Sequence, residues 1–222
     1  MVTSTLTIYL LVHAGLFVWS FSFGGPASPR LWLLRLMLLG MAYDNLILAI
    51  GPVGVGAQWY EWANYPRYVL HAGLLPFLTL FALSAMRVRG VAVAADRVFV
   101  GFCYSFTALA VVYGMWREVL LLELEPERLF DHARLVSVSA IPPLATIATN
   151  ILILPMAFAL WRKSGWWPFF AAALFIFLVN GITGSRAWGF IAGNGAEVVF
   201  ICCLLITERF LLRVRTASAT AA

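Results

Sequence analysis

Asp44, Arg67, His71, Glu118, Asn194 and Glu197 are the side chains of this sequence best suited to chemistry, because each sits in or at the edge of an otherwise apolar stretch. An ionisable group at the centre of a bilayer costs about 2.5–3.5 kcal/mol on insertion scales, so one that persists faces a partner or a cavity. Arg67 and His71 are four residues apart, and Asn194 and Glu197 three apart. Either spacing puts both side chains on one side of a helix. Glu197, set among Ala196, Val198 and Val199, is the candidate proton donor, a role that suits a carboxyl group in apolar surroundings. Asp44, at a depth compatible with Arg67 and His71, is the candidate base or electrostatic stabiliser, and His71 completes the candidate catalytic set. Arg67, Asn45, Asn180, Asn194 and Glu118 are the candidate substrate-binding groups. His13, alone in its apolar run, reads as a satisfied packing histidine.

Several chemistries lack their residues. The only lysine, Lys163, lies near a loop, where it cannot form the Schiff base of a retinal protein. No His-Glu-x-x-His helix, Asp-Asp-x-x-Asp cluster or Gly-x-Ser-x-Gly elbow occurs. The glycines of 51–56 are not followed by the Lys-Ser/Thr of a phosphate loop, so nucleotide binding is not expected. A metal site built from Asp44, His71 and Glu197 would have a single histidine; neither a metal nor another cofactor is expected. Cys103, Cys202 and Cys203 lie in apolar runs and read as packing residues.

The elements that must position these groups are membrane helices. Of the 222 residues 63% are hydrophobic and 11% charged, whereas soluble domains carry about 25% charged residues, so the excess apolar surface needs an apolar solvent. A crossing takes about 20 residues. Seven runs approach that length, at 6–23, 31–50, 66–86, 98–116, 137–160, 166–183 and 189–207, which predicts an all-α bundle of about seven transmembrane helices. Residues 1–215 form one seven-span domain and 216–222 a disordered cytoplasmic tail. The first run lacks a basic leader and is expected to be a retained span rather than a cleaved signal.

Arginine and lysine set the expected orientation. With seven spans, 10 of the 15 basic residues fall on the side of the C-terminus and 5 on the other, which places the C-terminus in the cytoplasm and the N-terminus outside, in a plasma or inner membrane. The net charge of +5 therefore reads as a topology signal, and no nucleic acid is expected as partner. At 1.5 Å per residue, Asp44 lies roughly 20 Å from the cytoplasmic end, and His71 and Glu197 about 8 and 12 Å from the outer end. The three thus share the outer half of the bilayer, where they are expected to line one cavity. The segment 51–56 reads as a turn-rich loop, and 117–136 as a solvated connector in preference to an amphipathic surface segment.

In size, span count and separated intramembrane carboxylates the chain resembles the seven-span terpene cyclases of fungal meroterpenoid pathways; this is a likeness of architecture and assigns no residue a role. The leading functional expectation is a membrane enzyme acting on a lipid or isoprenoid by carboxylate-based acid/base chemistry, as a cyclase, isomerase or hydrolase. Its partners would be membrane lipids and a hydrophobic small-molecule substrate. A small transporter or proton-coupled carrier is the second reading, although repeated halves and paired broken helices are missing. A noncatalytic membrane subunit or sensor is the third, with the polar residues serving only as glue between helices, worth about 0.6 kcal/mol per contact.

Overall fold

The computed structural model describes residues 1–23, 28–139 and 141–220, with side chains to Arg213. Of the expected tail at 216–222, the backbone of 216–220 continues the last helix, and 221–222 lie outside the described residues. The helices are α1 (Val2–Ser20), α2 (Pro29–Ala49), the single turn α3 (Gly51–Gly54), α4 (Gln58–Leu74), α5 (Leu78–Val88) and α6 (Arg97–Gly114). After a hairpin of β1 (Leu124–Leu129) and β2 (His132–Ser137) come α7 (Leu144–Ser164), α8 (Pro168–Thr183) and α9 (Gly189–Thr220).

Local chemistry explains most boundaries. Ser28 caps α2 by accepting from the Leu31 N–H, with Pro29 at the first helical position, and Asp96 caps α6 by accepting from the Phe99 N–H at 2.8 Å. Gly165 ends α7 at φ 72°, a conformation that carries no Cβ penalty for glycine. Pro76 cannot donate to the helix ladder, and a short 3-10 turn at Leu75–Phe77 joins α4 to α5 without breaking their shared course.

The protein is a helical membrane bundle. Among the described residues six stretches are long and apolar enough to cross, one of them Gln58–Val88, which joins α4 to α5. The sixth expected span, α8, has 16 residues, about 24 Å against a hydrocarbon core of about 30 Å, so it is shorter than a full crossing. Two loop readings are corrected. Residues 51–56 contain a helical turn, because Pro52 sits where a fixed φ starts a helix rather than ending one. The connector 117–136 continues α6 through a π-helical turn, Met115–Leu120, and then forms the antiparallel hairpin, with Pro126 opposite Leu135.

The bundle has two unlike ends. At the arginine-rich end the fully buried Glu208 of α9 accepts from Ser28 Oγ at 2.5 Å and from Arg30 Nε and Nη2 at 2.5 and 3.1 Å, while Arg30 Nη1 donates to Ser84 at 2.8 Å. This pair ties α2, α5 and α9 together beside the main apolar core, where Leu34, Leu38, Phe81, Phe169, Phe200 and Leu204 pack. At the opposite end the hairpin docks on α3. Gly51 and Gly54 are required there, since a Cβ on Gly51 would stand 2.1 Å from the Ala133 carbonyl oxygen and one on Gly54 would stand 2.4 Å from the Tyr60 ring. Tyr60, also buried, donates to the Ile47 carbonyl at 2.8 Å.

Candidate functional site

A cavity of about 650 Å³ opens among α2, α4, the end of α6, the hairpin exit and the start of α9. Two levels follow from the course of the helices. Met37 and Met41 of α2 with Leu74 and Leu75 at the α4–α5 junction make an apolar floor. Asp44, Arg67, His71, Glu118, Asn194 and Glu197 form a polar tier above it. Arg117, on the same turn as Glu118 at the end of α6, Ser137 and Ser139 at the hairpin exit, and Phe190 at the start of α9 complete the lining. Met37 precedes Asp44 by seven residues on α2, so the far edge of the floor is about 10 Å below the aspartate.

The polar tier divides into a braced part and an open part. Both oxygens of Asp44 are engaged, Oδ1 by Arg67 Nε at 2.7 Å and Oδ2 by Asn194 Nδ2 at 3.2 Å. Arg67 Nη1 also donates to Asn64 Oδ1 at 2.6 Å, and the buried Asn64 is itself fixed by donating to the Tyr60 carbonyl. Asn194 donates in addition to Asn45 Oδ1 at 3.1 Å, and Asn45 donates to the Met41 carbonyl. These contacts clamp α2, α4 and α9, and they satisfy the charges that taking Asp44 and Arg67 out of water would otherwise strand.

The open part consists of groups with capacity to spare. His71 Nδ1 stands 3.5 Å from Glu118 Oε2, a spacing that orients the imidazole, and its other ring nitrogen makes no hydrogen bond among the described residues. Glu118 Oε1 is buried without a partner. Glu197, one turn beyond Asn194 on α9, faces the same space and makes no hydrogen bond among the described residues. A histidine oriented by one carboxylate and facing a second carboxyl group across a cavity is an arrangement able to move protons. Glu118 approaches His71 from the π-helical turn that ends α6, a local widening of the kind often found at functional sites.

Asp44, His71 and Glu197 thus meet at one cavity, together with Arg67, Asn194 and Glu118. Asn45 is fully buried, does not line the cavity, and accepts a hydrogen bond from Asn194. Asn180 is exposed on α8 and is not part of the lining. His13 is fully buried, yet neither ring nitrogen has a hydrogen-bond partner among the described residues, which corrects the expectation of a satisfied histidine. Arg117 and Tyr68 also line the cavity; Arg117 is marked in the sequence as a charge at the end of the fourth apolar run, and Tyr68 has no signal beyond adjacency to Arg67. The hairpin is joined to the rim by Arg134, which pairs with Glu127 and lies 3.8 Å over the Phe190 ring. No protein-family model matches the chain, and no curated protein sequence matches it.

Proposed function

We propose that this protein is a membrane enzyme that takes an amphiphilic lipid or isoprenoid into the cavity and transforms it by proton transfer. One observation carries the reading: His71, oriented by Glu118, and an unengaged Glu197 face a single cavity whose floor is apolar. On this reading His71 accepts or returns a proton through its free ring nitrogen, Glu118 holds the ring, and Glu197 serves as the second proton-transfer group. Asp44 and Arg67 supply a fixed dipole beside the reacting atoms, an electrostatic role that needs no rearrangement during the reaction. Met37, Met41, Leu74 and Leu75 receive the chain and exclude water. The arginine-rich end faces the cytoplasm, by the same charge rule that orients membrane helices, so the cavity serves the outer half of the bilayer.

The test is conversion of a membrane lipid extract by the purified protein in nanodiscs, followed by mass spectrometry. Wild type converts at least one species, and Glu197→Gln and His71→Gln variants that elute as folded protein do not. Conversion by both variants at the wild-type rate would overturn the reading.

A further inference from the structure

Arg117 is the one group of the polar cavity that proton transfer leaves without a task. Arg117 lines the cavity, and its guanidinium has no hydrogen bond or ion pair among the described residues, its one ring contact there being Trp116 at 5.7 Å. The other arginine of the cavity, Arg67, is held by Asp44 and Asn64. The unengaged charges of opposite sign are not equivalent. A carboxyl group such as that of Glu197 can lose its charge by taking a proton, whereas a guanidinium stays charged under all conditions a protein meets. A half-buried arginine with no acid partner among the described residues leaves room for an anion from outside the chain. Hydroxyls stand on the same rim. Ser137 Oγ accepts from the Ser139 N–H at 3.3 Å, which leaves its own proton to donate.

The polarity of the cavity then fixes how a ligand lies. Arg117 and Ser137 stand on the segments that enter and leave the hairpin, whereas Met37 of α2 and Leu74 of α4 lie one to two turns from Asp44 and His71 on the side away from it. We infer that the cavity binds an amphiphile with an anionic head, carboxylate or phosphate, seated on Arg117 and Ser137, with its apolar chain directed toward Met37 and Leu74. This rests on the reading that the cavity takes an amphiphile at all.

Binding rather than turnover separates the two. Radiolabelled dodecyl phosphate, dodecanoate, dodecanol and dodecyltrimethylammonium are titrated onto the protein in nanodiscs, with empty nanodiscs as the blank. The two anions should bind about tenfold or more tightly than the alcohol, the gain expected of a charge-assisted hydrogen bond. Arg117→Gln should erase that advantage and leave dodecanol binding unchanged, and Arg117→Lys should retain part of it. An anion preference that survives Arg117→Gln, or tighter binding of the ammonium probe, would overturn the inference while leaving the amphiphile reading in place. If Arg117→Gln does not fold, the comparison of anion, alcohol and ammonium on wild type and on Arg117→Lys decides. Failure of all four probes to bind above the blank would overturn both.

Discussion

Glu208 to Gln is the substitution whose cost the structure defines best. The carboxylate is fully buried and accepts from Ser28 and from two nitrogens of Arg30, whose side chain is 9% exposed. The amide keeps the shape but removes the charge, leaving a guanidinium in an apolar core with no counter-ion. Breaking a buried pair in this way costs about 3–5 kcal/mol. At about 2–4 °C per kcal/mol for a chain of this size, the melting temperature should fall by roughly 6–20 °C. The assay is thermal unfolding of the detergent-solubilised protein, followed by loss of the monodisperse peak on size exclusion. The double variant Arg30→Met with Glu208→Leu should recover most of the loss, because apolar residues of similar volume often replace a buried pair at little cost. The pair and the cavity occupy opposite ends of the bundle, so folded Glu208→Gln should still bind amphiphile. A single variant within about 1 kcal/mol of wild type, or a double variant as unstable as the single, would refute the reasoning.

Two further predictions concern the hairpin. Gly51→Ala would drive a Cβ into the Ala133 carbonyl oxygen, a backbone atom that cannot swing aside, so the hairpin should lift at a cost of about 1–3 kcal/mol and be cleaved faster at Arg128 by trypsin; an unchanged cleavage rate would refute the docking. Burial holds the His132 ring below its ordinary value, outweighing the opposing backbone contact at Leu48, with Arg134 and the N-terminus lowering it further and Asp131 raising it. The docked hairpin therefore prefers the neutral ring, and the undocked one binds the extra proton. Docking should be at full strength above about pH 6.5 and weaken as pH falls below it toward the lower docked value, read as faster amide exchange in β2. Exchange that is flat over this window, or as steep in His132→Gln, would refute the assignment.

The membrane bundle and most of the polar tier were legible in the sequence for one physical reason. A charge in an apolar run is expensive, so Asp44, Arg67, His71 and Glu197 stood out against their neighbours. Helical spacing then put Arg67 with His71 and Asn194 with Glu197 on common faces, and the shared depth of Asp44 and Arg67 made their pairing readable. That His71 goes to Glu118 and Asn194 to Asp44 was not legible, because it depends on which helices are neighbours. Asn180 illustrates this, with the same residue type and a similar depth but an exposed position on α8. Glu208 was passed over because Thr207 and Arg209 beside it resemble the polar end of a span, and its partner Arg30 lies 178 residues away. The hairpin was hidden by Pro126 and by the carboxylates Glu123, Glu125, Glu127 and Asp131, which read as a solvated loop. A two-stranded unit tolerates a proline at an edge, and here the apolar side chains Ala133 and Leu135 of β2 are buried against the bundle.

The most direct test of the proton-transfer cavity is the complement of lipids that copurifies with the protein from its own membranes, compared by mass spectrometry and chromatography between wild type and Glu197→Gln. Glutamine keeps the shape of the side chain and removes its transferable proton, so the variant should retain an amphiphile that wild type holds only in converted form, distinguishable by mass or, for an isomerisation, by retention time. Identical complements from two equally folded proteins, with no interconversion on incubation, would contradict the account.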